Sequence, residues 1–144
     1  MGIKWVLSAS VWICASAFAA GGHHHGEGQL EIALDGNRLD VNLVAPGADL
    51  AGISTAGNSL LTIDQGGCTG FDVTASEVEV DHGHSDITLT QSFECTRPAA
   101  IGGIRVSLFD WAPSLEAVEV VYLSDDITVA TELTPATPVL ALDD

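Results

Sequence analysis

Positive charge is what this chain has least of. It holds 4 Lys and Arg against 20 Asp and Glu, a formal charge of −16. Nucleic acids and anionic lipids are recognised by basic faces, so neither is expected as a partner. Catalytic signatures are missing too. There is no Gly-x-Ser-x-Gly and no glycine loop shaped to cradle phosphate, and the serines are scattered over unrelated segments. No histidine is placed to be oriented by a buried acid as in a hydrolytic triad, so a non-catalytic protein is expected. Internal repeats, heptads and long amphipathic helical patterns are also absent. The one sustained apolar run, residues 5–13, is too short to span a bilayer comfortably. At 144 residues the chain has room for one domain and a leader.

The N-terminus has the layout of a secretory signal. Lys4 is a thin basic region, residues 5–13 are the apolar stretch, and Ala17-Phe18-Ala19 fits the small-x-small cleavage rule. Cleavage after Ala19 is expected, which makes residues 1–19 a signal peptide and the destination periplasmic. Lipidation of Cys14 is disfavoured, because Trp12 and Ile13 are bulky where small residues belong. The mature chain then has three arginines against 20 acids, a charge of −17. Such a field favours solubility and concentrates cations. Cys14 leaves with the leader, so Cys68 and Cys95 remain as an even pair in an oxidising compartment, where a disulfide is expected. By chain entropy it contributes roughly 3–4 kcal/mol. Two thiolate metal ligands are the alternative, although neither cysteine has a Cys or His neighbour at zinc-finger spacing.

Along the chain the dominant period is two. Leu30, Ile32 and Leu34 alternate with Gln29, Glu31 and Ala33; after Asp35-Gly36-Asn37, Leu39, Val41 and Leu43 alternate again. Two such runs around an Asp-Gly turn predict a β-hairpin. Residues 48–52 read as a single helical turn, and 53–67 as a loop with one short strand. Residues 68–73 and 77–80 are strand candidates, 81–85 a turn, and 86–95 a long strand with Ile87, Leu89, Gln91, Phe93 and Cys95 on one face. Further strands are predicted around 104–108, 117–123 and 127–133, with Phe109 and Trp111 filling the core beside a Pro113 turn. The expected organisation is a flexible histidine-rich arm at 20–28, a β domain at 29–134 and a frayed acidic tail at 135–144. Short strands separated by turn residues predict a mainly β fold, an antiparallel sandwich or barrel-like domain with one disulfide. An α+β fold with a short helix on the sheet is the alternative.

Every histidine lies in one of two clusters: His23, His24 and His25 after the leader, and His82 and His84 in Asp81-His82-Gly83-His84-Ser85-Asp86. Neutral imidazoles and carboxylates are the ligand set of Zn(II) and Cu(II). Residues at i and i+2 of a β-turn can converge, and Asp86 follows His84 on the same face of a strand. The candidate ligands are therefore His23, His24, His25, His82, His84 and Asp86, with Asp81 or Glu79 as a further donor. A polar exposed turn that merely contains two histidines has the same spacing. Cleavage after Ala20 would leave a Gly-Gly-His terminus suited to Cu(II), but it would put Phe18 where a small residue belongs.

The order of these segments resembles the zinc-regulated periplasmic ZrgA-like family of exported zinc-binding proteins. His23-x-His25-Gly26, the strand at 30–34, Asp35-Gly36-Asn37-Arg38-Leu39 and the strand to Pro46 are similar to the family's opening. Gly67-Cys68, His84-x-Asp86, Phe93-x-Cys95 and Val106-x-Leu108-Phe109-Asp110 followed by Pro113 are similar to its second half. The resemblance implies a periplasmic zinc binder that buffers zinc or feeds a zinc-importer component. By the resemblance, His23 and His25 match the family's opening His-x-His-Gly, His84 and Asp86 its His-x-Asp, and Cys68 and Cys95 its cysteine pair. This chain departs from the family at Gly52-Ile53-Ser54, where Phe-Glu and a long helix are usual. It also lacks the long His/Asp-rich insertion, which lowers the expectation to one or two ions.

Overall fold

A computed structural model describes residues 24–142. The proposed signal peptide, His23 and the last two residues lie outside it. Hydrophobic alternation sets the register of the first hairpin, β1 (Glu27–Asp35) and β2 (Arg38–Pro46), which turns through Gly36 at φ 57°. Leu30 faces Leu43, Ile32 faces Val41 and Leu34 faces Leu39, so one side of the hairpin is apolar throughout. The strands that follow are β3 (Leu61–Asp64), β4 (Cys68–Gly70), β5 (Thr74–Asp81), β6 (His84–Cys95), β7 (Gly103–Val106), β8 (Ala117–Leu123), β9 (Thr128–Leu133) and β10 (Val139–Ala141).

They form two sheets. The larger has seven strands in the order β4-β6-β2-β1-β8-β9, with β5 also pairing β6; the smaller runs β10-β7-β3. Residues of both sheets belong to one buried cluster, including Ile32, Leu43, Leu89, Val120 and Tyr122 from the larger and Leu61, Ile104, Val106 and Leu140 from the smaller. The fold is thus mainly β, as the patterning predicts, and Cys68 and Cys95 are disulfide-bonded. Neighbouring strands are antiparallel except β1 and β8, which run parallel with Leu30 opposite Val120. That exception is invisible to a local pattern, since a long excursion through β2 to β7 separates the two strands.

The structure departs from the sequence reading in three places. Helical structure among the described residues is confined to 3-10 turns at Gly47–Asp49, Pro98–Ala100 and Ser107–Asp110, so no helix packs on the sheet. The stretch from Pro135, expected to fray, carries β10. It pairs antiparallel with β7 and buries Leu140, because Val139, Leu140 and Ala141 complete the small sheet. The strand expected to run to Leu108 stops at Val106, where the chain tightens into a 3-10 turn.

Among the described residues, Gln91 is the one polar residue in the buried set. It sits on the apolar face of β6, and both its oxygen and its nitrogen are hydrogen-bonded. Oε1 accepts from the Leu60 amide at 2.8 Å and the Ser59 hydroxyl at 3.1 Å, while Nε2 donates to the Phe71 carbonyl at 2.8 Å. Two loops are thereby tied to the centre of the large sheet. On the opposite, solvent face of that sheet, Asp40 accepts from Arg38 Nε at 2.9 Å and from the Ser92 hydroxyl at 2.6 Å. These bonds, Arg38 first, hold the Asp40 carboxyl below the ordinary aspartate range. Arg105 makes a two-pronged pair with Asp110 at 2.7 and 2.8 Å, which lowers Asp110 in the same way.

Candidate metal centre

The histidine turn is tighter than its sequence suggests. β5 passes to β6 through His82 and Gly83 alone, both left-handed, at φ 38° and 88°. This is the backbone of a two-residue hairpin turn whose twist matches its strands. Glycine takes that conformation freely, and histidine is among the few other side chains found there. The result is a blade with no buried residue on β5, where Val78 is 57% exposed. His82 Nε2 lies 3.0 Å from Asp81 Oδ1, both side chains being largely exposed.

Register decides which donors share a side. Asp81 pairs with His84 and Val78 with Asp86, while Glu79 pairs with Ser85. Opposed residues point the same way and neighbours along a strand point opposite ways. Asp81, His84 and Asp86 therefore share the solvent face of the large sheet. Glu79 shares the other face with Glu77, which accepts a 2.5 Å bond from the Ser85 hydroxyl. Of the two acids considered as a further donor, Asp81 is on the side of His84 and Glu79 is not.

Of the N-terminal cluster, His24 and His25 are described, and they lie where β1 begins. His24 and His25 precede Glu27, and the Glu27 amide donates to the His24 carbonyl at 3.2 Å. Gly26, at φ 84°, is clamped from two directions. Its amide donates to Asp49 Oδ2 at 2.7 Å, and its carbonyl accepts from the Glu116 amide at 2.7 Å and the Ala117 amide at 3.1 Å. Asp49 ends the 3-10 turn after β2; its other oxygen, Oδ1, is 3.7 Å from His25 Nδ1. The Asp49 side chain is only 10% exposed, against 76% for His25. Nothing in the sequence singles out Asp49. It lies 23 residues from Gly26, and only the return of β2 beside the start of β1 brings them together.

Both clusters emerge at the same end of the large sheet. Pro46 at the end of β2 pairs with Asp86 near the start of β6, and Val44 pairs with Gln29 near the start of β1. Gly47 lies against Ser85 so closely that an added Cβ would collide with the Ser85 hydroxyl oxygen. β2 separates the arm from the hairpin, a distance of about 10 Å between strand axes at ordinary spacing. Among the described residues, no three His, Cys, Asp or Glu side chains are grouped so as to hold a metal. The cysteines, considered as thiolate ligands, are used by the disulfide.

Residues 22–60 and 69–142 of the chain match the family described as ZrgA family zinc uptake protein. A comparison with curated proteins finds no match.

Proposed function

Because this chain belongs to the ZrgA family of zinc uptake proteins, we propose that it is exported to the periplasm and there binds Zn(II) without catalysing a reaction. It carries one or two ions and passes them to a zinc-importer component. His23, His24 and His25 on the arm, and His82, His84 and Asp86 at the hairpin, are the ligands of this reading. The observation that carries it is that His24 and His25 lie at the same end of the large sheet as the hairpin of His82 and His84, where Asp81, Asp86 and Asp49 also lie. Imidazole nitrogen with carboxylate oxygen is a donor set zinc accepts.

Openness favours carrying over permanent retention. Structural zinc sites are closed four-ligand cages, whereas a site that exchanges metal keeps positions open. Here the side chains of His24, His25, His82 and His84 are exposed, so a recipient protein can reach an ion bound to them. Calorimetric zinc titration of the mature protein tests the reading. Alanine at His82 and His84, and separately at the three arm histidines, is expected to remove or weaken binding. A variant lacking all five histidines that binds zinc like the parent overturns it. The intact mass of protein recovered from the periplasm checks the export step, with cleavage after Ala19 expected.

A further inference from the structure

We propose that the free edge of β5 is a docking site for a partner protein, which adds an extended segment as a strand along Thr74–Glu79. The segment carries lysine or arginine on one face and apolar residues on the other. Docking of this kind needs no metal and so goes beyond the zinc-binding reading. The histidine turn at the end of β5 is carried to the partner with it.

The edge is open and unprotected. Among the described residues β5 pairs with β6 alone, and the backbone of residues 74–81 makes no hydrogen bond outside that ladder. In an antiparallel pair every second residue of an edge strand turns its amide and carbonyl away from its neighbour. Such edges are ordinarily blunted by lysine, proline, a bulge or shortness. β5 runs for eight residues and has neither lysine nor proline. Its one irregularity lies between Glu79 and Asp81, which leaves Thr74 to Glu79 in unbroken register with β6.

A groove lies beside this edge. Leu50 and Ile53, from the segment after β2, line it together with Ala75 and Glu77 of β5 and Ile87 and Leu89 of β6, and its volume is about 440 Å³. A strand added to β5 continues the sheet, so its side chains opposite Ala75 and Glu77 fall on the groove side. A free edge with a pocket for alternate side chains is the arrangement by which sheets take up extended peptides.

Charge names the occupant. Opposed residues of paired strands share a face, so the partner meets Glu77 and Glu79 on one face and the exposed Val78 on the other. Basic side chains complement the first face and an apolar one the second. A second copy of this chain does not fit. Pairing two β5 edges antiparallel about Val78 sets Glu77 of each copy against Glu79 of the other, and like charges so opposed are destabilising. The overall charge of −16 also repels a second copy and draws in a basic segment.

The probe is a fluorescent, end-capped peptide, Lys-Val-Lys-Thr-Val-Thr, added to the mature protein in the presence of chelator. Laid antiparallel on β5, it sets Lys opposite Glu79 and Glu77, and Val opposite Val78 and Ala75. One control, Val-Lys-Lys-Thr-Thr-Val, keeps composition and charge but breaks the alternation; another is Glu-Val-Glu-Thr-Val-Thr. The probe is expected to bind about tenfold more tightly than either control. Amide exchange is expected to slow at residues 74–79 and not along β9, the end strand on the other side of the large sheet. E77K/E79K is expected to lose about tenfold for the probe and to prefer the glutamate peptide. The peptide comparison on the parent protein stands by itself should this variant disturb the hairpin. Equal binding of the probe and the broken peptide means bulk attraction to an acidic protein and overturns the proposal. Protection confined to another edge, or no binding at all, overturns it too. None of these outcomes bears on zinc affinity, so the zinc-binding reading is tested separately.

Discussion

Replacing Gln91 with leucine isolates the one polar commitment in the core. The side chains are similar in size, so the change removes hydrogen bonds without opening a cavity. Three partners are affected. The Leu60 amide is buried with its residue at 1% exposure and loses its acceptor at 2.8 Å. The Ser59 hydroxyl keeps its bond to the Leu61 carbonyl at 2.8 Å, and the Phe71 carbonyl lies in an exposed residue where water can replace the lost donor. The cost is therefore concentrated in a single orphaned amide, about 1–3 kcal/mol. Burying leucine methyls in place of the amide group returns up to about 1 kcal/mol. A net loss of about 1–2 kcal/mol is expected, equivalent to a fall in Tm of roughly 4–8 °C for a domain of this size. Urea unfolding gives the magnitude, and amide hydrogen exchange gives the location, with Leu60 exchanging faster than its neighbours on β3. Q91E is the companion variant: it keeps the acceptor but buries a carboxylate, whose neutral form is favoured. Its deficit relative to the parent should grow as pH rises from the unfolded carboxyl value, about 4.3, towards the raised folded value, and level off above it. A Q91L protein as stable as the parent, with Leu60 still protected, would refute the assignment of this amide as the tie between the sheet and the 59–61 loop.

Other measurements address the rest of the scaffold. Removing the disulfide as C68A/C95A, at a sequence separation of 27, is expected to cost about 3.5 kcal/mol by chain entropy, read from chemical denaturation; no change would mean that the closed loop is already ordered in the unfolded chain. Asp40 and Asp110 have lowered carboxyl pKa values in the folded state, so their contribution is present above the unfolded value near pH 4 and lost as pH falls through the lower folded value. A D40N/D110N protein should therefore lie below the parent at pH 6 and converge with it at acid pH, and a constant difference across that range would contradict the linkage. Glu119 and Glu132 oppose each other across β8 and β9, a like-charge pair, so E132K should stabilise by about 0.5 kcal/mol in low salt and by less in high salt. In the histidine turn, H82N keeps a side chain suited to the left-handed backbone, while H82V should weaken the hairpin by about 1 kcal/mol; equal stability of the two would argue against the two-residue turn.

The β character and the first hairpin were legible because they are local. Leu30, Ile32 and Leu34 against Leu39, Val41 and Leu43 state both the period and the register, and Asp35-Gly36-Asn37 states the turn. The inward face of β6 was legible for the same reason, Gln91 included. What local pattern could not convey was partnership. Val118, Val120 and Tyr122 read as a strand, but nothing in them says that the neighbour is β1 and that it runs parallel. Val139 to Ala141 was hidden by the Thr, Ala and Pro around it, since three residues are too few to show a period. At the candidate site the histidines announced themselves by type and spacing. Asp49 did not, because its meaning comes from a contact between the exit of β2 and the entry of β1. Likewise Asp81 and Glu79 looked equivalent until the register, irregular between them, put them on opposite faces.

The two histidine clusters also differ in what supports them, and this bears on the zinc binding proposed above. The arm begins β1, at the middle of the large sheet, and Gly26 is clamped by Asp49 and by the backbone of residues 116 and 117. Its donors need little ordering when metal arrives, so little conformational entropy is lost on binding. The hairpin is attached through β6 alone, and every residue of β5 is exposed. Segments with few buried contacts open most easily, which places the hairpin at the low-stability end of the molecule. On the proposed reading, identical imidazoles on these two supports are unequal ligands: the donors next to Gly26 are preorganised, while those of the hairpin must be ordered by the metal. Stepwise zinc titration with amide exchange as the readout should then show protection first at residues 25–27 and only later at 81–85. Simultaneous protection at low zinc would mean that the two clusters close on one ion across β2, and that the rim works as a single site.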